Sequence, residues 1–171
     1  MTQWLGALCI IAATTSIGFR WAKRYSERPA QLRQMKAALQ ALEAEIMYGL
    51  TPLGEACAHL ARQTREPVSG LFAAFADELA NGSSDARTAW ETALSENWPR
   101  TALGRPEREV LKQFGSTLGQ HDPLQQQKQI RLALTHLERE EAEARDEQRR
   151  NEQMIKSLGL LAGLLLALLL I

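Results

Sequence analysis

Residues 42–56 read LEAEIMYGLTPLGEA, and two apolar-periodic stretches meet inside that string. Behind it, Leu32, Met35, Leu39, Leu42 and Ile46 follow one another in steps of three and four, so one face of a helix from about Pro29 to Tyr48 is apolar. Gly49 ends that helix. Ahead of it, Thr51 is placed to cap a second helix, with Pro52 at its first position and Leu53, Ala56, Cys57 and Leu60 facing inward. Gly54 stands where the Glu or Gln of a capping box would be, so the box is incomplete. The unit is a helical hairpin.

The pattern repeats along the chain. A third helix begins near Pro67 with Val68, Leu71, Phe72, Phe75 and Leu79 inward, and Asn81-Gly82 breaks it. Ser83 and Ser84 start a fourth, whose stripe of Ala86, Ala89, Trp90, Ala93, Leu94 and Trp98 is closed by Pro99. A fifth runs from about Pro106 through Val110, Leu111, Phe114 and Leu118 to Gly119. Asp122-Pro123 opens a sixth that meets no further Pro, and no Gly before Gly159. Val occurs only at 68 and 110 and no alternating β-branched run appears, so strands have no support. An internal echo, Gly49-x-Thr51 with Ala56 and Gly82-x-Ser84 with Ala89, places a stop, a cap oxygen and a small crossing residue at equal spacing.

Both ends are apolar. Residues 1–19 carry no charge and are bracketed by Trp4 and Trp21, roughly 26 Å apart at helical rise. A signal peptide would have its positive charges before the apolar stretch, and here they come after it. Ser157 to Ile171 has nine Leu in fifteen residues and no charge. It spans roughly 22 Å and needs Met154, Ile155 and a snorkelling Lys156 to approach the ~30 Å bilayer core. Arg20, Lys23, Arg24 and Arg28 flank the first stretch, and Arg149, Arg150 and Lys156 the second. By the positive-inside rule, the expectation is a two-pass membrane protein of the cell membrane with its central portion cytoplasmic and both termini outside. The fold expected is all-α: a six-helix cytoplasmic bundle flanked by two transmembrane helices, the last bundle helix long and continuous with the second span. The boundaries are 1–21, 22–153 and 154–171, with Trp4, Arg20, Trp21, Lys23, Arg24 and Lys156 at the membrane interface.

The 20 basic and 20 acidic residues cancel, which argues against the basic field that nucleic-acid binding uses. Residues 20–42 nevertheless carry six Lys or Arg against Glu27 alone. That run reads first as proximity to anionic lipid headgroups, ahead of a protein-docking site. Cys9 and Cys57 are too few for a disulfide framework. No phosphate loop, nucleophile elbow, HExxH or dinucleotide fingerprint is present, and His59, His121 and His136 are scattered, so neither catalysis nor a metal or cofactor is expected. The Glu and Arg run from Glu138 to Glu152 reads as a solvated face laced by Arg139–Glu143, Glu141–Arg145 and Asp146–Arg150 pairs. Trp90 and Trp98 read as packing residues.

LEAEIMYGLTPLGEA, LFAAFADELANG (71–82), AWETAL (89–94), LKQFGSTLGQHD (111–122), QKQIRLALTHLEREE (127–141) and SLGLLAGLLL (157–166) together resemble the stage III sporulation protein AB family over essentially the whole chain. That family is similar to a one-domain form of the inner-membrane platform protein of type II secretion and type IV pilus systems. The resemblance implies a non-enzymatic membrane platform subunit of the assembly joining mother cell and forespore, located in the mother-cell membrane around the forespore. Its implied partners are a cytoplasmic secretion-type ATPase and other stage III sporulation membrane proteins, with homo-oligomerisation possible. The alternative is a small oligomeric membrane channel or transporter component. The contact positions expected for the ATPase are Leu50, Thr51, Gln120 and His121, in the turns at the end of the bundle where the first helix finishes and the sixth begins.

Overall fold

The computed structural model describes residues 26–49, 51–82, 85–119 and 122–170, with the backbone alone at 123, 152, 153 and 155–170. Among them every regular element is helical. Helix α1 covers residues 26–44 and finishes in a π-helical turn, Glu45–Gly49. α2 (Leu53–Gln63), α3 (Val68–Ala80) and α4 (Ala86–Asn97) follow as a serpentine of antiparallel neighbours, α3 packed on both others. A 3-10 turn, Trp98–Arg100, leads to α5 (Arg105–Gly115), which packs on α4 and α6 (Pro123–Leu170). We call "upper" the end where α1 finishes and α6 begins, and "lower" the end holding Arg28, the α2–α3 turn and the α4–α5 connection. Gln31 ties α1 to that connection: its Oε1 accepts the Ala102 N–H at 2.7 Å in a buried position.

The apolar stripes converge on Trp90. Its ring is fully buried and meets Phe75 and Phe114 edge-on, at centroid distances of 5.1 and 5.3 Å, and Phe72 tilted at 5.9 Å. The indole N–H donates to the Leu111 carbonyl at 2.8 Å, which satisfies the ring's one polar atom. α5 approaches this closely because residue 115 is glycine: a Cβ there would stand 2.7 Å from Trp90 Nε1 and 2.8 Å from Cγ. Of the core positions expected from the periodicity, Leu42, Leu60, Phe72, Phe75, Trp90, Leu94, Phe114 and Leu118 are buried, and Ile46 packs partly buried against them.

The caps differ from expectation at two places. α2 starts at Leu53, and no side chain caps it; the Thr51 hydroxyl turns back toward α1 instead. α4 is capped by Asp85, whose carboxylate accepts the Thr88 N–H at 2.7 Å, while Ser83 and Ser84 lie outside the described residues. The echo between the two hairpins therefore holds for the buried Ala56 and Ala89 and fails for the cap oxygens. Asp122 behaves as expected before Pro123, accepting from the Leu124 N–H at 3.0 Å. Gly82 and Gly119 have φ of +63° and +81°, the left-handed conformation that ends α3 and turns the chain toward α6.

The membrane helices of the expected fold are overturned. Among the described residues no helix is long and apolar enough to cross a membrane. α6 does run unbroken to Leu170, but charged residues and Gln recur on its turns as far as Lys156. The uncharged remainder to Leu170 is roughly 21 Å at helical rise, short of a ~30 Å hydrocarbon core. The first expected span, residues 1–21, lies outside the described residues, together with Trp4, Arg20, Trp21, Lys23 and Arg24. So does the side chain of Lys156. The two-pass arrangement with both termini outside is corrected accordingly.

Replacing Gly115 with Ala forces a methyl group into the Trp90 ring. The expected outcome is a loss of ~3 kcal/mol or more in chemical denaturation, large for one methyl because the obstacle is a clamped indole. Phe75→Ala should cost ~3 to 5 kcal/mol, whereas a loss below ~1 kcal/mol would place that ring outside the core.

Candidate functional site: a charged seam and the upper turns

α1 and α6 run antiparallel and are joined by ion pairs along their length. At the upper end Glu43 accepts from Arg131 at 2.9 Å and from Gln127 at 2.7 Å. In the middle Lys36 reaches Glu141 at 3.0 Å and Glu138 at 3.8 Å, with Arg33 at 3.7 Å from Glu141. At the lower end one guanidinium faces three carboxylates: Arg28 lies 2.7 Å from Glu107, 2.8 Å from Glu147 and 3.4 Å from Glu140. Arg28, Arg33 and Lys36 of the basic run are therefore engaged by α6. The run 138–152 is correspondingly not a solvated face throughout, since Glu141 is buried. Of its three expected i,i+4 pairs, only Glu141–Arg145 forms among the described residues.

Glu107 is the least legible member. It stands in RPEREV, which reads as an exposed first turn, yet its carboxylate is fully buried. One oxygen reaches back to the Gly104 N–H at 2.8 Å and caps α5, while the other takes the Arg28 Nε–H at 2.7 Å. α1, α5 and α6 are thus fastened by one arginine. Burial opposes the Arg28 charge, but the bond to Glu107 and the charges of Glu107, Glu147 and Glu140 outweigh it and hold the guanidinium above its ordinary range. Burial, then the charges of Glu107 and Glu143, push Glu140 above the usual carboxylate range against Arg28 and Arg139. Glu141 and Glu43 go the other way despite burial, held down by Lys36 and Arg145 and by Arg131 and Gln127 respectively.

The upper end presents different chemistry. The π turn exposes Tyr48, 83% accessible, and the first turn of α6 exposes Leu124, 65% accessible. Thr51 is half-buried beside them; its hydroxyl lies 3.0 Å from Glu45 Oε2 and 3.2 Å from the Gly49 carbonyl, and its single hydrogen serves one of them at a time. Glu45 folds across Gly49 so closely that a Cβ there would meet its Oε2 at 2.7 Å. Of the expected contact positions, Thr51 is placed at this end, while Leu50, Gln120 and His121 lie outside the described residues. The sequence puts Tyr48 at this exposed end, where the first helix finishes, without marking it as a contact, and Leu124 carries no signal there. Tyr48 falls off the Leu42–Ile46 stripe by about half a turn, and Leu124 follows the cap-and-Pro pair where a helix overhangs its neighbours. Cys57 is buried against α3, and burial pushes its thiol up to about 12, so it is no nucleophile. No group of His, Cys, Asp and Glu among the described residues is placed to hold a metal ion.

Arg28→Gln leaves Glu107 buried without its charge partner and should cost ~3 to 5 kcal/mol; Glu140→Gln, which removes an excess carboxylate, should cost little or nothing. The pH dependence follows from opposed shifts. Glu140 takes its proton more readily folded than unfolded, so acidification from neutral through its raised pKa stabilises the native state. Glu43 and Glu141 hold protons less readily when folded, so their contribution is present above the ordinary carboxylate pKa and is lost as pH falls through their lowered values. Denaturation midpoints measured from neutral pH downward should rise slightly and then fall, and Glu140→Gln should remove the rise.

The family model for stage III sporulation protein AB matches residues 3–171. Stage III sporulation protein AB of Bacillus subtilis (strain 168) is 59% identical over 170 residues, 99% of each chain. A solved structure of stage III sporulation protein AB (SpoIIIAB) superposes with a TM-score of 0.70 at 57% identity, over 72% of this chain and 98% of that one. With the family model matched over nearly the whole chain and these likenesses at more than half identity, the chain belongs to the stage III sporulation protein AB family.

Proposed function

We propose that this sporulation protein is a non-enzymatic platform subunit of a secretion-like assembly joining mother cell and forespore, and that its upper end docks a cytoplasmic ATPase of the secretion type. The observation that carries the reading is the pair Tyr48 and Leu124, two large apolar side chains held out from the ends of two packed helices. Solvent exposure of such groups costs the free protein, and contact with a partner recovers it. The turn beneath them is braced by Glu45, Gly49 and Thr51, so docking there requires little reordering. Leu132 and Met154 on α6 are also exposed, but each stands alone on its helix, whereas Tyr48 and Leu124 project from the same end of the bundle.

Binding of a purified cytoplasmic secretion-type ATPase from the same organism, measured by interferometry, tests the reading. Tyr48→Ser and Leu124→Ser should each weaken the complex ~10-fold, about 1.4 kcal/mol, without moving the melting temperature. Charged substitutions at Leu50, Gln120 and His121 should act in the same direction. Undiminished binding across this set would refute the docking assignment.

A further inference from the structure

The second surface feature lies on the α2–α3–α4 layer. The upper end of this layer collects carboxylates: Glu55 in the first turn of α2, Asp77 and Glu78 in the last turn of α3, and the cap Asp85 of α4. At its lower end arginines outnumber the exposed carboxylates Glu66, Glu96 and Glu109: Arg62 lies in the last turn of α2, Arg65 in the α2–α3 turn, Arg100 after α4 and Arg105 at the start of α5. The two lower turns adjoin, since Pro67 and Val68 line one small cavity with Trp98 and Thr101. Arg108 completes the set, its guanidinium 5.9 Å from the Trp98 ring centre and its buried Nε without a hydrogen-bond partner.

None of these five arginines, nor Glu55, Asp77 or Glu78, has an ion-pair partner among the described residues. That sets them apart from the α1–α6 seam, where the charges are matched. Helix polarity does not account for them either. Asp77 and Glu78 occupy the C-terminal turn of α3 and Arg105 and Arg108 the N-terminal turn of α5, in each case the end where the macrodipole disfavours that sign. Both halves of a complementary pair of surfaces are present on one molecule, at opposite ends of one layer. All the cations are arginines, the residue type suited to bidentate contact with carboxylates.

We propose that the chain associates head to tail with a second copy, the arginine end of the α2–α3–α4 layer in one molecule seated on the carboxylate end of that layer in the next. Such a contact is heterologous: each copy retains one free end of each sign, so the array grows or closes into a ring instead of stopping at a dimer. α6 leaves the lower end on the α1–α6 edge, beside the contact. A row of copies would repeat the ATPase-docking turn at a fixed spacing; the self-association itself does not depend on that reading.

Sedimentation velocity of the full chain, in a constant concentration of non-ionic detergent, tests the proposal. At about 50 mM salt the weight-average mass should rise with protein concentration past the dimer, and at about 500 mM, where the screening length is only a few Å, it should return to that of the monomer. Arg100→Glu with Arg105→Glu makes both ends acidic, and Asp77→Lys with Glu78→Lys makes both ends basic; each variant alone should weaken association at least tenfold. Their equimolar mixture should associate again, because the reversed faces complement one another. Both are expected to retain wild-type helix content and melting, and if either does not, Arg62→Glu with Arg65→Glu or Glu55→Lys replaces it on the same end. A wild-type monomer at every concentration at low salt would overturn the proposal. So would a salt-insensitive dimer, or association that survives in both variants while their mixture gains nothing.

Discussion

The close approach of α5 to Trp90 is the constraint from which the rest of the bundle follows. An indole is large, flat and carries one donor, so burying it requires an apolar box with a single acceptor in one wall. Phe72 and Phe75 on α3 and Phe114 on α5 form the box, and the Leu111 carbonyl supplies the acceptor. Gly115 brings α5 within reach, since any side chain there would push the helix off the ring. With α5 at that distance, its N-terminal turn falls beside Arg28, and the buried Glu107 can serve at once as the reach-back cap of its own helix and as the anchor of α1. Core geometry and seam electrostatics are therefore coupled through one helix.

The seam adds specificity more than net stability. Its more exposed members, such as Arg131–Glu43, are worth little. Even the buried Arg28–Glu107 contact must offset the desolvation of both charges. What the seam does is select a register. Glu43 with Arg131, Lys36 with Glu141 and Arg28 with Glu147 form a ladder of roughly constant index sum, and a slide of α6 by one turn would take Arg131 away from Glu43 and Glu141 away from Lys36. The apolar face of α6, with Ile130, Ala133 and Leu137, would tolerate such a slide more readily, because its side chains recur at helical spacing.

Periodicity made the six helices legible, and Gly, Pro, Asn and Asp located the breaks within a few residues. The errors share a physical origin. Thr51 has the sequence of a cap, but the π turn before it brings Glu45 within reach, and the hydroxyl goes to that carboxylate. Asp85 was overlooked as a cap because Ser83 and Ser84 precede it and satisfy the same pattern. The basic run near the N-terminus and the acidic run near residue 140 were each read alone. Their pairing is tertiary, across more than a hundred residues, and neither run's composition reveals the other. Glu107 was hidden for the same reason, a surface-like sequence made into a core residue by a partner on another helix. The membrane spans were read from apolar runs, bracketing Trp and flanking charge, and the 48-residue α6 instead carries its charges along most of its length.

A protein that works by contact needs faces that keep their geometry when one of them is loaded, and the wiring of this bundle provides that. A force on the Tyr48 turn is passed to α6 through Glu43 and its two donors, and to α2 through the contacts of the π turn. α6 passes it to α5 through packing and through Arg28, and α5 closes the circuit on Trp90 and the α3–α4 layer. Contacts distant in sequence fix the outer elements: α1 is held by α5 and α6, and the α4–α5 connection by Gln31 of α1. Stiffness of this kind arises from cross-links between elements distant in sequence, because a local hairpin contact leaves the hairpin free to rotate as a unit. The charged ends of the α2–α3–α4 layer are thereby held at a fixed separation and orientation, which is the condition for one copy's arginines to find another's carboxylates without a prior conformational change.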